Sequence, residues 1–287
     1  MRRFLYNKCV ELAISLFVIF FICYLPFRMD KTAIDSGYTI KDTISQLLNP
    51  NQMMYFSRNT NAERPLFPAI WEKYIYTMEL LAIGFFIALA AAVGLVFLYT
   101  ILSAKMQRVG KAILKMLESF PDVMIVLILQ LTVIQIYKLT GFEITNLYAF
   151  GDERVYFIPL VSLTVIPAIM IYKMMILSLD EELEQRYVEY ARAKGIGMRT
   201  ILFKHMFRNI FFNILNHGKT ILLFMLSTLF VVEGLSNING FMTFIIIDAM
   251  IEPGILILWA LMLFIPFYIL FTISELYIAK TTGVFTS

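Results

Sequence analysis

Charge is scarce in this chain, and so are the residues that do chemistry. Of 287 residues only 16% are Asp, Glu, Lys or Arg, where a soluble domain carries about 25%. The hydrophobic share is 60%, with 26 Phe against 13 Gly and 9 Pro. So large an apolar surplus does not fit inside one globular core, and a water-soluble fold is excluded. There are two histidines, His205 and His217, both set among lysines and arginines, surroundings unsuited to a metal cation. The two cysteines, Cys9 and Cys23, share the first apolar run and read as lipid-facing or packing residues rather than a disulfide or metal pair. No nucleophile–base pair or metal cluster falls on a membrane face, which argues against an enzyme. The net charge of +3 is too small and dispersed for a nucleic-acid partner. What the chain does have is long hydrophobic runs.

A helix needs about 20 mostly apolar residues to cross ~30 Å of hydrocarbon, where its backbone finds no other hydrogen-bond partner. Six runs meet or approach this: 12–27, 74–102, 120–137, 155–177, 220–235 and 255–275. The expected fold class is therefore an all-α integral membrane protein with six transmembrane helices. With the N-terminus placed inside, the inner segments 1–8, 103–116, 178–219 and 276–287 hold 15 Lys/Arg in 76 residues, and the outer segments 28–73, 138–154 and 236–254 hold 8 in 82. That asymmetry puts both termini in the cytoplasm. Lys105, Arg108, Lys111 and Lys115, in the inner segment 103–119, are uninterrupted by any acid. The first run follows Arg2, Arg3 and Lys8 without a small-residue cleavage site after it, and reads as an uncleaved signal anchor.

Two connecting segments exceed simple turns. The outer segment 28–73, punctuated by Pro50, Pro65 and Pro68, is expected to form a small irregular cap. The outer connections 138–154 and 236–254 are shorter, the latter with a possible short helix, and 276–287 is a cytoplasmic tail. The inner segment 178–219 carries a dozen charges, too many for a buried span. Within it, Asp180, Glu181, Glu182 and Glu184 are expected to open a helix, at the positive end of its dipole. Gly195 and Gly197 interrupt it, and 198–215 reads as a second apolar helix studded with Arg199, Lys204 and Arg208. Around Glu189, Tyr190, Ala191, Arg192, Ala193, Lys194, Gly195 and Ile196, the small residues permit close approach and Gly195 permits a positive φ. The residues alone allow two readings, a knob for a cytoplasmic partner and an amphipathic helix lying on the headgroups.

Other polar positions are weaker signals. Glu79, Gln130, Gln135 and Glu233 fall in or at the ends of spans, where burial in lipid is costly. Lys173 is expected to snorkel. Gly84, Ala88 and Ala92 form a face of small residues that suits helix packing. Pro159, Pro167 and Pro266 permit kinks. Asp248 and Glu252, one turn apart, read as a solvated surface helix or an ion contact. His217-Gly218-Lys219-Thr220 copies the end of a phosphate loop, but the glycine required five positions earlier is Asn213 and no strand is expected before it, so nucleotide binding there is excluded.

The pattern Glu189-x-Ala191-x-x-x-Gly195, after four runs and before two, resembles the "EAA" loop of ABC importer permeases. More closely, Tyr187-Val-Glu-Tyr-Ala-Arg-Ala-Lys-Gly-Ile196 followed by Lys204-His-Met-Phe-Arg-Asn209 is similar to the dipeptide/oligopeptide/nickel permease family. Glu118-Ser-Phe-Pro121 resembles that family's opening of the third span, and Phe230-Val-Val-Glu233-Gly its segment after the fifth. Arg64-Pro-Leu-Phe-Pro-Ala-Ile-Trp-Glu-Lys73 resembles the approach to the second span in the subunit type with the larger outer loop. The chain departs from the family at Asn239-Gly240, where Pro-Gly is usual, at Tyr190, where Ala is usual, and in its sparsely charged tail.

The resemblance implies a type I ABC permease architecture with its core at about 74–280, in a bacterial or archaeal cytoplasmic membrane. It implies a second homologous permease subunit, two ATPase subunits and an extracytoplasmic substrate-binding protein as partners, besides membrane lipid. No cofactor is expected in this chain, since ATP is used by the partner ATPases. Residues 189–196 would form the ATPase-coupling helix; Ala191 and Ala193 would let it sit deep, and Arg192 and Lys194 would offer charge-assisted contacts. Pro121, Glu233 and Asn239 are candidate pathway or gate residues. The competing class, a self-powered transporter or channel, would call for midplane charge pairs or matching halves. Neither is visible.

Overall fold

The computed structural model describes residues 2–29, 39–57, 61–141, 154–247 and 252–282. It is mostly helical, and six helices are long and apolar enough to cross a membrane. These are α1 (Arg2–Met29), α3 (Leu66–Ile101), α5 (Asp122–Thr140), α6 (Phe157–Leu183), α9 (Phe207–Leu235) and α11 (Pro253–Thr282). Between them lie α2 (Ile40–Leu48), an antiparallel hairpin of β1 (Met54–Ser57) and β2 (Ala62–Pro65), α4 (Ala104–Glu118), α7 (Arg186–Ala193), α8 (Met198–Ile201) and α10 (Phe241–Ile247). The chain divides into two compact units, residues 1–75 with 240–287, and residues 76–239.

In the first unit α1 packs along α11. The Lys8 ammonium lies 2.7 Å from Glu11 and 2.8 Å from Glu275, and the Tyr268 hydroxyl donates to the Lys8 carbonyl at 2.6 Å. The described residues of segment 28–73, expected from sequence to be an irregular cap, include a capped helix and a hairpin. Thr39 caps α2, accepting from the Asp42 N–H at 3.2 Å while the Asp42 carboxylate accepts from the Thr39 N–H at 3.2 Å. The Thr39 hydroxyl also donates to the Asp42 carboxylate, and that bond foremost, with the one from the Thr39 N–H, holds the Asp42 carboxyl below the usual carboxylate range. Beyond α2 the hairpin turns Tyr55 inward, its ring edge-on to Phe244 at 5.1 Å. Tyr74 and Trp259 pack on Phe241, and the Trp259 indole donates to the Phe241 carbonyl at 2.9 Å. An irregular cap was the expectation because a four-residue strand is too short for its alternation to stand out in sequence. Asp248 lies outside the described residues, so the pair it forms with Glu252 has no structural counterpart here.

In the second unit α6 is the hub, the most buried of the six candidate spans, contacted by α4, α5 and α9. The small-residue face of α3 is a packing face: Ala88 and Ala92 are fully buried. At Gly84 an added Cβ would stand 3.0 Å from Leu163 Cδ2 and 3.4 Å from Met225 Cε. Gly84→Val is therefore expected to force these neighbours apart and destabilise the unit by about 1–3 kcal/mol. Thermal unfolding of the purified chain in detergent measures this, and an unchanged midpoint would contradict the close approach.

Two boundaries differ from the hydropathy reading. The second span's helix begins at Leu66, because Pro68 falls in the first turn, where a missing N–H costs no intrahelical bond. The amphipathic stretch from Met198 and the fifth span run together, α8 passing through a π turn at Leu202–Met206 into α9. Residues His217 to Thr220 lie inside α9, with helix rather than strand before them.

Candidate functional site

The segment 189–196 forms the second half of a short helix and its stop. Gln185 enters α7 in an extended conformation, and its carbonyl receives the Val188 N–H at 2.9 Å. At the other end Gly195 sits at φ +76°. Its N–H donates to the Arg192 carbonyl at 2.9 Å, and the Ile196 N–H to the Ala191 carbonyl at 3.2 Å. This reciprocal pair satisfies the last carbonyls of α7 and is the glycine-dependent helix stop that a left-handed residue permits.

The two faces of α7 differ. Val188 and Ala191 turn inward and are buried. Tyr190 is 64% exposed, and Glu189, Arg192, Ala193, Lys194 and Gly195 are exposed as well. The Lys194 ammonium stands over the Tyr190 ring, 4.4 Å from its centre, which pre-positions the cation on the outward face. Of the two alanines expected to let the helix sit deep in a partner, Ala193 faces out, whereas Ala191 is buried in this chain. The one-turn spacing of Val188 and Ala191 makes them its inner stripe.

One carboxylate ties α7 to its neighbours. The Tyr187 hydroxyl donates to Glu182 Oε2, and Asn209 Nδ2 donates to the same oxygen at 3.1 Å. Glu182 closes α6, Tyr187 opens α7 and Asn209 opens α9, so three helices meet at one acceptor. One turn back along α6 and one turn further along α9, Asn213 Nδ2 donates to Ser178 Oγ at 2.6 Å. Burial, reinforced by the Glu182 hydrogen bond, pushes the Tyr187 phenol up to about 12. The phenol thus stays a protonated donor at physiological pH. Its contribution is whole below the ordinary tyrosine value near 10 and is lost only as pH rises from there through about 12.

Asp180, Glu181 and Glu182 do not open a helix. They lie in the last turn of α6, which runs to Leu183, at the negative end of the dipole. The donors from Tyr187 and Asn209 compensate Glu182 there. Sequence reading saw the acids but placed them at the wrong end, because the break at Glu184 and Gln185 carries neither Gly nor Pro.

At the opposite end of α9 a second cluster is buried. Glu233 is fully buried and accepts from the Thr77 hydroxyl at 2.5 Å. Gln130 Nε2 of α5 donates to the Leu235 carbonyl at 3.2 Å. Beside them the Tyr76 hydroxyl donates to the Val155 carbonyl at 2.6 Å, and the Arg154 guanidinium lies 5.3 Å from the centre of the Tyr76 ring. Glu79 accepts from the Tyr156 hydroxyl at 3.2 Å and faces Arg154 at 3.5 Å. Residues 76–79 of α3, the residues entering α6 and the end of α9 are thereby joined. Helix α9 stops as α7 does, with Asn237 at φ +50° in the glycine role and the Ile238 N–H donating to the Glu233 carbonyl at 2.9 Å.

Of the candidate gate residues, Glu233 lies at the centre of this cluster and Asn239 is exposed in the turn that follows. Pro121 does not join them. It caps the start of α5, exposed and about 14 Å along the helix from Gln130, the α5 side chain that does reach α9. Lys173 does not simply snorkel: it pairs with Glu118. Sequence reading missed Thr77 and Asn237, since neither a threonine in an apolar run nor an asparagine in a turn signals its partner.

Residues 84–282 match the family of binding-protein-dependent transport system inner membrane components. The chain belongs to that family. It is a permease component of an ABC transport system and a multi-pass membrane protein. No curated protein matches the chain. The match takes in α7, the Glu182 junction and Glu233, and begins at Gly84, inside α3, after Tyr76, Thr77 and Glu79.

Proposed function

We propose that this permease forms half of the translocation pathway of an ATP-driven importer of the dipeptide/oligopeptide/nickel type, in a bacterial or archaeal cytoplasmic membrane. It pairs with a second, similar permease, two ATPase subunits and an extracytoplasmic binding protein. Residues 189–196 dock on one ATPase, presenting Tyr190, Arg192, Ala193 and Lys194. The observation that carries this reading is the Glu182 junction. A push on α7 reaches α6 and α9 together, because one carboxylate holds Tyr187 and Asn209. Helix α9 then spans about 36 Å from Asn209 to Glu233, long enough to carry displacement from the ATPase side to the cluster around Thr77 and Glu233. The peptide-type cargo rests on the Ala191-Arg-Ala-Lys-Gly195 motif with its Arg208-Asn209 follow-on.

The test is crosslinking in the assembled transporter. With Cys9 and Cys23 replaced by serine, an Ala193→Cys variant is expected to trap an ATP-hydrolysing subunit, in a yield that changes with nucleotide. Uptake by the purified chain alone in vesicles, or no trapped ATPase under any nucleotide condition, would remove the coupling role. Competition for uptake by dipeptides, oligopeptides and nickel chelates then tests the cargo class.

A further inference from the structure

Helix α4 is attached to the spans at both ends, yet none of its residues is buried. At its start Gln107 Nε2 donates to the Tyr99 carbonyl at 2.9 Å and the Leu102 carbonyl at 3.1 Å. These groups belong to the end of α3 and the residue after it, where no intrahelical donor remains, so the glutamine fixes α4 against the end of a span. Midway, the Lys111 ammonium sits over the Tyr99 ring at 4.9 Å. At its far end Glu118 pairs with Lys173 of α6. Tyr99 and Tyr172, on those two spans, touch edge to face with ring centres 6.4 Å apart. Helix α4 is thus held beside the neighbouring ends of α3 and α6.

At 100° per residue its side chains separate cleanly. Lys105, Arg108, Lys111 and Lys115 fall on one half, with Glu118, already paired, as the sole acid. Met106, Val109, Ile113 and Met116 fall on the other, each more than half exposed. Between α4 and the spans runs an apolar cleft of about 190 Å³, lined by Leu95, Leu98, Leu102, Ile113, Leu114 and Tyr172 among others.

We propose that α4 binds anionic phospholipid of the cytoplasmic leaflet, its apolar half among the upper acyl chains, its cations on the headgroups and an acyl chain in the cleft. Two observations choose lipid as the occupant. The exposed apolar half begins at Met106, five residues after α3 ends at Ile101, and so stays close to the end of a span. The cations lie on the opposite half, the segregation that an interface between hydrocarbon and anionic headgroups selects. A protein partner covering the apolar half would leave those cations without a role.

The test uses the full chain in nanodiscs, with Cys9 and Cys23 replaced by serine and nitroxides placed singly at Val109→Cys, Met116→Cys and Ala112→Cys. In bilayers containing phosphatidylglycerol, the labels at 109 and 116 are expected to collide with oxygen and be shielded from a nickel chelate, and the label at 112 to show the reverse. The variant Lys105→Gln/Arg108→Gln/Lys115→Gln is expected to bind phosphatidylglycerol about fivefold more weakly per charge removed, while inorganic phosphate in solution does not compete. The proposal fails if the labels at 109 and 116 stay open to the nickel chelate. It also fails if the triple variant retains phosphatidylglycerol as well as the parent, or if inorganic phosphate displaces the lipid. Shielding that arises only on addition of a second permease or an ATPase would assign the surface to protein contact instead.

Discussion

Valine at Gly195 is expected to lower ATP-driven uptake by at least about tenfold while leaving the permease in the membrane and its ATPases able to hydrolyse. The reason is conformational rather than steric. No atom lies within 4 Å of where a Cβ would stand, so the added side chain has room. The backbone does not: φ is +76°, where an ordinary residue costs about 1–2 kcal/mol and a β-branched one more. A chain that relieves the strain by leaving the left-handed region gives up both hydrogen bonds of the stop, Gly195 to Arg192 and Ile196 to Ala191. The exit from α7 then changes direction, and the push no longer arrives at α8 and α9 in register. About 1.4 kcal/mol corresponds to a factor of ten, so strain of this size suffices. Asparagine, which tolerates the left-handed region and already serves so at Asn237, should retain most activity, and alanine should fall between. Parallel assays of uptake and ATP hydrolysis in reconstituted vesicles decide it. Full uptake by Gly195→Val would show that the turn transmits nothing.

The second large effect is expected at Thr77. Its hydroxyl donates to the Glu233 carboxyl, which is fully buried, and stranding one partner of a buried hydrogen bond costs about 1–3 kcal/mol. Thr77→Val keeps the shape and removes the donor, so it should destabilise the second unit by about that amount. Glu233→Gln retains an acceptor oxygen for Thr77 and should cost less. The double replacement Thr77→Val/Glu233→Leu should cost less than the sum of its parts, since an apolar pair strands no hydrogen-bonding partner. Thermal unfolding of the three variants in detergent gives the ranking. If Thr77→Val unfolds at the parent temperature, the hydroxyl is not what stabilises Glu233, and the cluster loses its central contact.

The two clusters also show where sequence reading stops. The Ala191-Arg-Ala-Lys-Gly195 stretch was legible because its chemistry is local: small residues, a glycine and flanking cations specify a short helix with a left-handed stop. The inner face of that helix was not legible, and Ala191 proved to be buried within the chain. Glu182 was visible as one of four acids, but its partners lie five and 27 positions away. Thr77 and Glu233 are separated by 156 positions. Pro121 was singled out because a proline can kink a span; Gln130, two and a half turns further on, donates to α9 through a contact that no local pattern signals.

The family and the six hydrophobic helices were determined by the sequence itself. Transfer of apolar residues into hydrocarbon depends on composition over some twenty consecutive positions, and a helix stop depends on a handful of neighbours. Tertiary structure alone decided the rest. It decided that α6 ends on acids compensated by α7 and α9, that α3 packs through small residues on Leu163 and Met225, and that Thr77 meets a buried Glu233. It also fixed α4 against the ends of two spans. Apart from Tyr187 with Glu182 and Gln107 with the end of α3, these are contacts between residues far apart in the chain, set by which helix faces meet, and no local pattern encodes their partners.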